Sequence, residues 1–335
     1  MVANTTFGDV RDEIFAWDID NSMWSSFNTP YAYTVYKWVT VILFLTVFQV
    51  IFMLAAPIVM ILFFIPNIYF WINDIRVKLN KGYTKFGPDV DLKFFISMGK
   101  VVSFIWHGHE MVGWENIPDG PAIYYLYHGP MSLDGGYIYC KIQGAQKRKL
   151  CAIGHKKRSY NLGRIHKAMN YCSPLAKLVI GRLKNGWQIY VAIGRIRRSK
   201  VSDNNYRVHI PHNRKGIAHI VKSITDVKIP IVPIFTRNIQ EAFWIPWFLK
   251  PLLKILPKNL RAYVTAVGGL PVKLTSFIGE EIEYDTTMSA EEIMERLRNG
   301  MQTHIDKYQI VPGNRLRALR ERFHGSRILS NISVV

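Results

Sequence analysis

Short runs of apolar residues recur along the chain at lengths typical of buried strands. Residues 122–127, Ala-Ile-Tyr-Tyr-Leu-Tyr, are all apolar or aromatic, and Gly129 comes two residues after them. Because glycine and proline break regular structure, the run predicts a buried strand that ends at His128. Three further runs of β-branched, aromatic or alternating residues also predict strands: 187–193, 229–236 and 271–278.

Other stretches have the apolar spacing of helices. Residues 86–105 mix apolar and polar positions at helical spacing and predict a helix. Ser289 and Glu292 have the spacing of a capping box, and the apolar residues after them recur every four positions. Residues 315–327 place apolar side chains on one helical face and arginines over the rest, a pattern that suits an anionic membrane surface.

The longest apolar run extends from Trp38 to Asn73 and contains no charged residue. A spanning helix needs about 20 such residues, so the run is too long for one upright span and short for two full ones. Pro57 and Pro66 interrupt it. We therefore predict a membrane hairpin of two short helices over residues 35–73. One long tilted span and a buried helix of a soluble core are the alternatives.

The charges on the two sides of this run predict its orientation. Residues 1–34 contain five acidic residues, whereas residues 76–85 contain four basic ones. The positive-inside rule places the basic side in the cytosol. A hairpin would place residues 1–34 on that side too, and a single span would not.

Composition narrows the classes of partner. The chain has 335 residues, with 43 lysines and arginines against 24 acidic residues, and a formal charge of +19. Such a charge suggests an anionic partner. With a membrane segment present, anionic lipid and a phosphorylated substrate explain it more simply than nucleic acid does. Three cysteines without metal or redox spacing predict reduced thiols that face the cytosol.

His128 and Asp134 are the residues best suited to acid–base chemistry. His128 follows a predicted strand, and Asp134 comes six positions later on the next turn. A carboxylate in that position would fix the tautomer of the imidazole and stabilise the imidazolium that forms when it takes a proton. The alternative is a hydrogen-bonded histidine at a strand end and an aspartate that caps a helix.

Two further groups of residues could bind ligands. His107 and His109 could ligate a metal, but nothing nearby completes a site, and we predict none. Gly194 follows a predicted strand, where its backbone N–H could approach an anion. The arginines after it, Arg197 and Arg198 among them, could hold phosphates or form a solvated face.

Several short motifs in this order resemble the glycerolipid acyltransferase superfamily, and within it the transmembrane protein 68-like branch. The matching residues run from about residue 100 to 324: Trp106-His107-Gly108, Gly113, Ile117-Pro118, Gly120-Pro121, Tyr127-His128-Gly129, Asp134, Pro230, Pro233, Gly268-Gly269, Pro271-Val272-Lys273-Leu274 and Pro312-Gly313-Asn314. The superfamily's first motif has four residues between histidine and aspartate. Here five residues lie between His128 and Asp134, and the resemblance implies the same number for this branch.

The resemblance implies roles for individual residues. It makes His128 and Asp134 catalytic and assigns substrate binding to six others: Gly129, Gly194, Arg197, Arg198, Pro230 and Pro233. The family's third motif falls at residues 194–198. Gly194 and Arg197 match it, but Arg195 stands where the motif has its second glycine, and Arg198 stands where the motif has a glutamate. That change suggests a more anionic acceptor or a loss of acyl transfer.

The resemblance also implies the fold and the reaction. We expect an α/β fold, with a mixed, largely parallel sheet flanked by helices, and His128 and Gly194 at adjacent strand ends. The implied reaction is acyl-CoA-dependent O-acylation of a mono- or diacylglycerol at the endoplasmic reticulum membrane. The catalytic domain faces the cytosol, acyl-CoA is a co-substrate, and no cofactor is bound.

Two alternatives remain open: a lysophospholipid acyltransferase and a catalytically silent lipid-binding relative. The expected partners are membrane lipids and acyl-CoA. The predicted division of the chain is an N-terminal segment, the membrane hairpin or span, a linker helix and turn, the α/β acyltransferase domain and a basic C-terminal tail: 1–34, 35–73, 74–120, 121–313 and 314–335.

Overall fold

A computed structural model describes most of the chain after residue 88. The described residues are 34–46, five helical positions between 68 and 79, 88–127, 129, 133–146, 149–153, 170–193, 205–211, 214–243 and 269–324. Four predicted site residues lie outside them: His128, Gly194, Arg197 and Arg198. The chain divides into two compact units, Met1–Leu54 and Ala55–Val335.

In the first unit the described residues form one helix over 34–46. The hydroxyls of Thr40 and Thr46 donate to the carbonyls one turn earlier, which is usual for threonine inside a helix. No helix among the described residues is both long and apolar enough to cross a bilayer. The centre of the predicted hairpin, residues 47–67, lies outside the described residues.

The second unit is built on a six-stranded sheet, and the predicted mixed, largely parallel sheet is confirmed. Its strands, in chain order, are β1 (Glu110–Val112), β2 (Ala122–Tyr127), β3 (Leu150–Ala152), β4 (Gln188–Ile193), β5 (Ile231–Arg237) and β6 (Thr275–Ile278). The spatial order is β1-β6-β5-β2-β4-β3. Only the β5–β6 pair is antiparallel, so β2, β4 and β5 run side by side in one direction.

Helices flank the sheet, as predicted. In chain order they are α1 (Pro88–His107), α2 (Leu133–Gln146), α3 (Ala176–Lys184), α4 (Gly216–Lys222), α5 (Ala290–Tyr308) and α6 (Arg315–His324). The predicted capping box opens α5, because the Ser289 hydroxyl accepts from the N–H of Glu292 and the Glu292 carboxylate accepts from the N–H of Ser289.

The core lies on both faces of the sheet. Side chains of β2 alternate between the faces, so Tyr124 packs in the cluster that contains Ile138 of α2, whereas Ile123 packs in the cluster that contains Leu297 of α5. Every side chain of β5 is buried. Such burial on both faces explains why the strands read as continuous apolar runs.

The prolines of β5 occupy different positions than expected. Proline in a sheet is expected at strand ends or at a bulge, but only Pro230 lies at an end, and Pro233 lies inside the strand. Proline cannot donate a backbone hydrogen bond. The position is tolerated because β6 ends at Ile278, opposite Ile234, and Gly279 donates its N–H to the Pro233 carbonyl beyond that end.

Other details also depart from the sequence pattern. β1 was not predicted, because a three-residue strand shows no readable alternation. His107 ends α1 rather than lying in an extended stretch, and β6 begins at Thr275 rather than at residue 271. The three cysteines are free and buried, as expected for reduced thiols.

Candidate functional site

The carboxyl ends of β2 and β4 meet at one edge of the sheet. The two strands are parallel neighbours, and their last residues, Tyr127 and Ile193, are register partners. The next residues along the chain are His128 and Gly194, which lie outside the described residues. The strand order therefore shows that the strands preceding these two residues are adjacent, and the placement of His128 and Gly194 stays a prediction.

Gly129 holds the backbone directly after His128 against the segment that follows β5. A Cβ placed on Gly129 would lie 2.5 Å from Cγ1 of Ile239. Both residues are buried. The absence of a side chain thus allows a close backbone approach at the carboxyl edge.

Asp134 lies in the first turn of α2, and its side chain is buried with 2% exposure. Burial raises its pKa from the ordinary 3.8 to about 7. Three hydrogen bonds act in the opposite direction, from the N–H of Gly135, the N–H of Asp134 itself and the hydroxyl of Thr236. The position at a helix start also favours negative charge, but desolvation is the larger effect.

A chain of buried side chains extends from Asp134 into the sheet. Thr236 Oγ1 lies 2.8 Å from Ser276 Oγ, and Ser276 Oγ lies 2.8 Å from Nε2 of His109. Thr236 and Ser276 are register partners on β5 and β6. These residues come from three distant segments of the chain, so no local sequence pattern connects them.

The direction of these hydrogen bonds follows from the protons available. Burial lowers the pKa of His109 well below its ordinary value, so the ring is neutral. When Asp134 is ionised, a Thr236 hydroxyl that donates to it has no second proton, so Ser276 donates to Thr236 and His109 donates through Nε2–H to Ser276. When Asp134 is protonated, its carboxyl can donate to Thr236, and either hydroxyl of the Thr236–Ser276 pair can be the donor.

His107 and His109, which were considered as metal ligands, are buried and contact Tyr137. His107 Nδ1 lies 3.1 Å from the Tyr137 hydroxyl, and the ring of His109 packs 5.4 Å from that of Tyr137. Burial lowers the pKa of His107 to about 3. Within the described part of the chain, no group of three possible metal ligands comes together.

A second buried polar cluster lies beside the end of β2. The Tyr127 hydroxyl accepts a hydrogen bond of 2.7 Å from the side-chain amide of Gln240. Tyr206 donates its hydroxyl to Glu241 and accepts from the N–H of Gln240 at 3.0 Å. Burial raises the pKa of Glu241. The segment after β5 is therefore fixed by hydrogen bonds close to the predicted site.

The two prolines assigned to substrate binding lie at different depths in β5. Pro233 is three residues before Thr236, whereas Pro230 precedes the strand and its carbonyl accepts the N–H of Ile123. At about 3.3 Å per residue, Pro230 is roughly 20 Å from Thr236 along the strand. The structure therefore brings Asp134 and Gly129 to the carboxyl edge but leaves Pro230 at the opposite end.

Comparisons with known proteins give the chain's relatives. No protein-family model matches the chain. A mouse protein named "DGAT1/2-independent enzyme synthesizing storage lipids" is 35% identical over 224 residues, which are 66% of this chain and 66% of the mouse protein. The human protein of the same name is 34% identical over 225 residues, 66% of this chain and 68% of the human protein. The chain thus spans about two thirds of the length of these relatives.

The chain also has a partial likeness to a solved structure. It is the 1-acyl-sn-glycerophosphate (LPA) acyltransferase PlsC from Thermotoga maritima, with 16% sequence identity and a TM-score of 0.48. The match covers 76% of this chain and 97% of that protein.

Proposed function

The chain belongs to the family of these storage-lipid-synthesising enzymes, and we propose that it is a membrane-bound, acyl-CoA-dependent O-acyltransferase that acts on a mono- or diacylglycerol. Residues 35–73 anchor it as a membrane hairpin in the endoplasmic reticulum. The α/β domain faces the cytosol, where acyl-CoA is the co-substrate. No resident cofactor takes part.

The proposal is carried by one observation: a buried carboxyl, Asp134, lies at the carboxyl edge of the sheet where β2 ends and His128 follows. A buried acid is costly unless it has a partner or a task. The donors directed at Asp134 hold the carboxyl in one orientation. An imidazolium at position 128 would lower the pKa of Asp134 and keep it ionised.

In the proposed reaction His128 acts as the general base. It takes the proton of the acceptor hydroxyl as that oxygen attacks the thioester carbonyl, and Asp134 stabilises the imidazolium. A carbon–oxygen bond forms, the carbon–sulfur bond breaks, and the imidazolium returns its proton to the leaving thiolate of coenzyme A. Backbone N–H groups at Gly194 and the guanidinium of Arg197 stabilise the oxyanion or hold the phosphates.

The test is an acceptor panel with the purified full-length chain in lipid vesicles and labelled acyl-CoA. We expect acyl transfer to mono- or diacylglycerol, and a loss of about 10²–10⁴-fold in His128→Ala. His219 is exposed on α4 and supplies the matched control, His219→Ala, which should retain activity. Full activity of His128→Ala would refute the assignment.

The same panel decides a second candidate, a lysophospholipid acyltransferase. The arginines at 195, 197 and 198 favour a phosphorylated acceptor, because guanidinium groups bind phosphate through paired hydrogen bonds. Transfer to lysophosphatidate in preference to diacylglycerol would support that candidate. No transfer to any acceptor would favour the catalytically silent relative, for which Arg198→Glu is the restoring variant.

A further inference from the structure

Two helices of the α/β domain carry large apolar side chains that face outward. On α1, Phe104 is 71% exposed and Ile105 is 65% exposed, and Val101 lies one turn earlier on the same face. On α6, Leu316 is 77% exposed and Phe323 is 72% exposed. Large apolar side chains that cluster at a surface mark an interaction site.

The opposite face of α6 is fixed to the domain, so its outward face has a defined position. Glu321 forms a buried ion pair with Arg237 at 2.5 Å, and Ala318 is fully buried. The Ala318 carbonyl also accepts the N–H of Lys273. The exposure of Leu316 and Phe323 therefore comes from an ordered helix.

A direct contact joins the two helices into one surface. Nη2 of Arg322 donates to the carbonyls of Phe104 and Ile105, at 3.3 and 3.0 Å. These carbonyls belong to the last turn of α1, where the Phe104 carbonyl also accepts the N–H of Gly108. Arg322 directly precedes Phe323 on α6, so the contact joins the exposed apolar end of α1 to the helix that carries Leu316 and Phe323.

Cationic side chains lie on the described part of both helices. Lys93 and Lys100 are exposed on α1, and Arg320 is exposed on α6. Among the described side chains of the two helices the one acid is Glu321, and it is paired with Arg237. A surface of apolar side chains flanked by cations complements an anionic lipid leaflet. Two copies of the same cationic surface would repel each other.

α1 contacts a residue of the predicted membrane segment. Tyr69 stacks on Phe94 of α1 with 4.0 Å between ring centroids. Tyr69 belongs to the uncharged apolar run that ends at Asn73, and Ile72 of that run is exposed. α1 therefore packs directly against the segment that the sequence assigns to the membrane.

We propose that α1 and α6 together form a second membrane contact, separate from the N-terminal apolar run, which docks on an anionic lipid leaflet. Phe104, Ile105, Leu316 and Phe323 enter the interfacial region. Lys93, Lys100 and Arg320 lie at the level of the phosphate groups. This contact goes beyond the proposed function, since it would hold whether or not the chain transfers acyl groups.

The experiment places an environment-sensitive fluorophore on the full-length chain in vesicles of phosphatidylcholine and phosphatidylserine. The labelled variants are Phe323→Cys and Leu316→Cys. The matched control is Arg298→Cys on α5, where the native side chain is 43% exposed. The native cysteines are buried, and the unsubstituted chain gives their background. Lipids with a spin label in the acyl chain quench the fluorophore by contact.

We expect lipid quenching at 323 and 316 at least about twice that at 298. Adding Lys100→Glu and Arg320→Glu should reduce it in vesicles with phosphatidylserine, because each cation near an anionic leaflet strengthens docking by about fivefold. Quenching at 323 no greater than at 298 would overturn the proposal. So would a label shielded from both lipid and aqueous quenchers, which would indicate a protein partner or a second copy.

Charge reversal that leaves quenching unchanged would overturn the anionic part of the proposal. The outcome is independent of the acyl transfer assay, since quenching needs no substrate. Loss of activity with normal quenching would therefore count against the proposed function alone, and normal activity without quenching would count against the docking surface alone.

Discussion

Asp134→Asn separates the chemical role of Asp134 from its effect on stability. The substitution keeps the size of the side chain and its ability to accept the Thr236 hydroxyl, but it removes the titrating proton. Asparagine in place of the aspartate that orients a catalytic histidine lowers turnover by up to about 10⁴-fold in a well-characterised hydrolase. If Asp134 orients His128, we expect the variant to lose acyl transfer by roughly 10³-fold.

Although Asp134→Asn should lower activity, it should raise the stability of the fold at neutral pH. The pKa of Asp134 is raised from 3.8 to about 7 in the folded chain. Below pH 3.8 the carboxyl is protonated in both states. Between pH 4 and 7 the unfolded chain releases the proton while the folded chain retains it, so the free energy of unfolding falls as the pH rises. At 1.36 kcal/mol per pKa unit, the full loss is about 4 kcal/mol.

Asparagine does not titrate, so the variant should escape this loss. We expect its melting temperature to match that of the unsubstituted chain near pH 4 and to exceed it at pH 8. At about 2–4 °C per kcal/mol for a domain of this size, the gain is roughly 10 °C. Thermal unfolding of both proteins in the same vesicles, from pH 4 to pH 8, measures the difference.

A variant that is less stable than the unsubstituted chain at pH 8, or a difference that does not change with pH, would refute the reasoning about burial. A variant that is more stable and fully active would leave the stability argument intact but remove Asp134 from the catalytic assignment. Stability gained together with activity lost is the combination expected when a buried acid is retained for its chemistry.

Three further substitutions test a close packing contact, a buried ion pair and a helix cap in the α/β domain. Gly129→Ala should lower the free energy of unfolding by about 1–3 kcal/mol, measured by thermal unfolding, because the new Cβ would lie 2.5 Å from Ile239. Glu321→Ala should cost about 3–5 kcal/mol in the same assay, because it leaves Arg237 buried without its ion-pair partner. Ser289→Ala should cost only about 1 kcal/mol, since it removes one helix cap, and unchanged acyl transfer would mark it as purely structural.

The strands and helices that could be predicted are those whose pattern is local. The strand at 122–127 is a continuous apolar run because both faces of β2 are buried, and the start of α5 is encoded in the capping box at Ser289. β1 could not be predicted, since three residues give no period. The position of Pro233 inside β5 could not be predicted, because its tolerance depends on where β6 ends opposite it, and no local pattern shows that.

In the candidate site, too, only the residue with a local sequence signal could be predicted. Asp134 could be singled out from its spacing after a strand end. Its partners Thr236, Ser276 and His109 could not, because they meet only through the register of β5 against β6 and the approach of α1. In the sequence, Thr236 and Ser276 are ordinary strand residues, and His109 resembles half of a metal site.

Helix α6 takes part in both the buried interior near Asp134 and the proposed lipid contact. Glu321 on its inner face pairs with Arg237, and Arg237 directly follows Thr236, which donates to Asp134. Leu316 and Phe323 on its outer face point away from the domain. Glu321 is five positions after Leu316, so the proposed lipid contact and the buried ion pair lie on one short helix. If the proposed contact forms, a helix held at both faces would fix the distance between the leaflet and the carboxyl edge of the sheet. An acceptor that stays in the bilayer would need such a fixed distance to bring its hydroxyl to His128 without leaving the lipid phase.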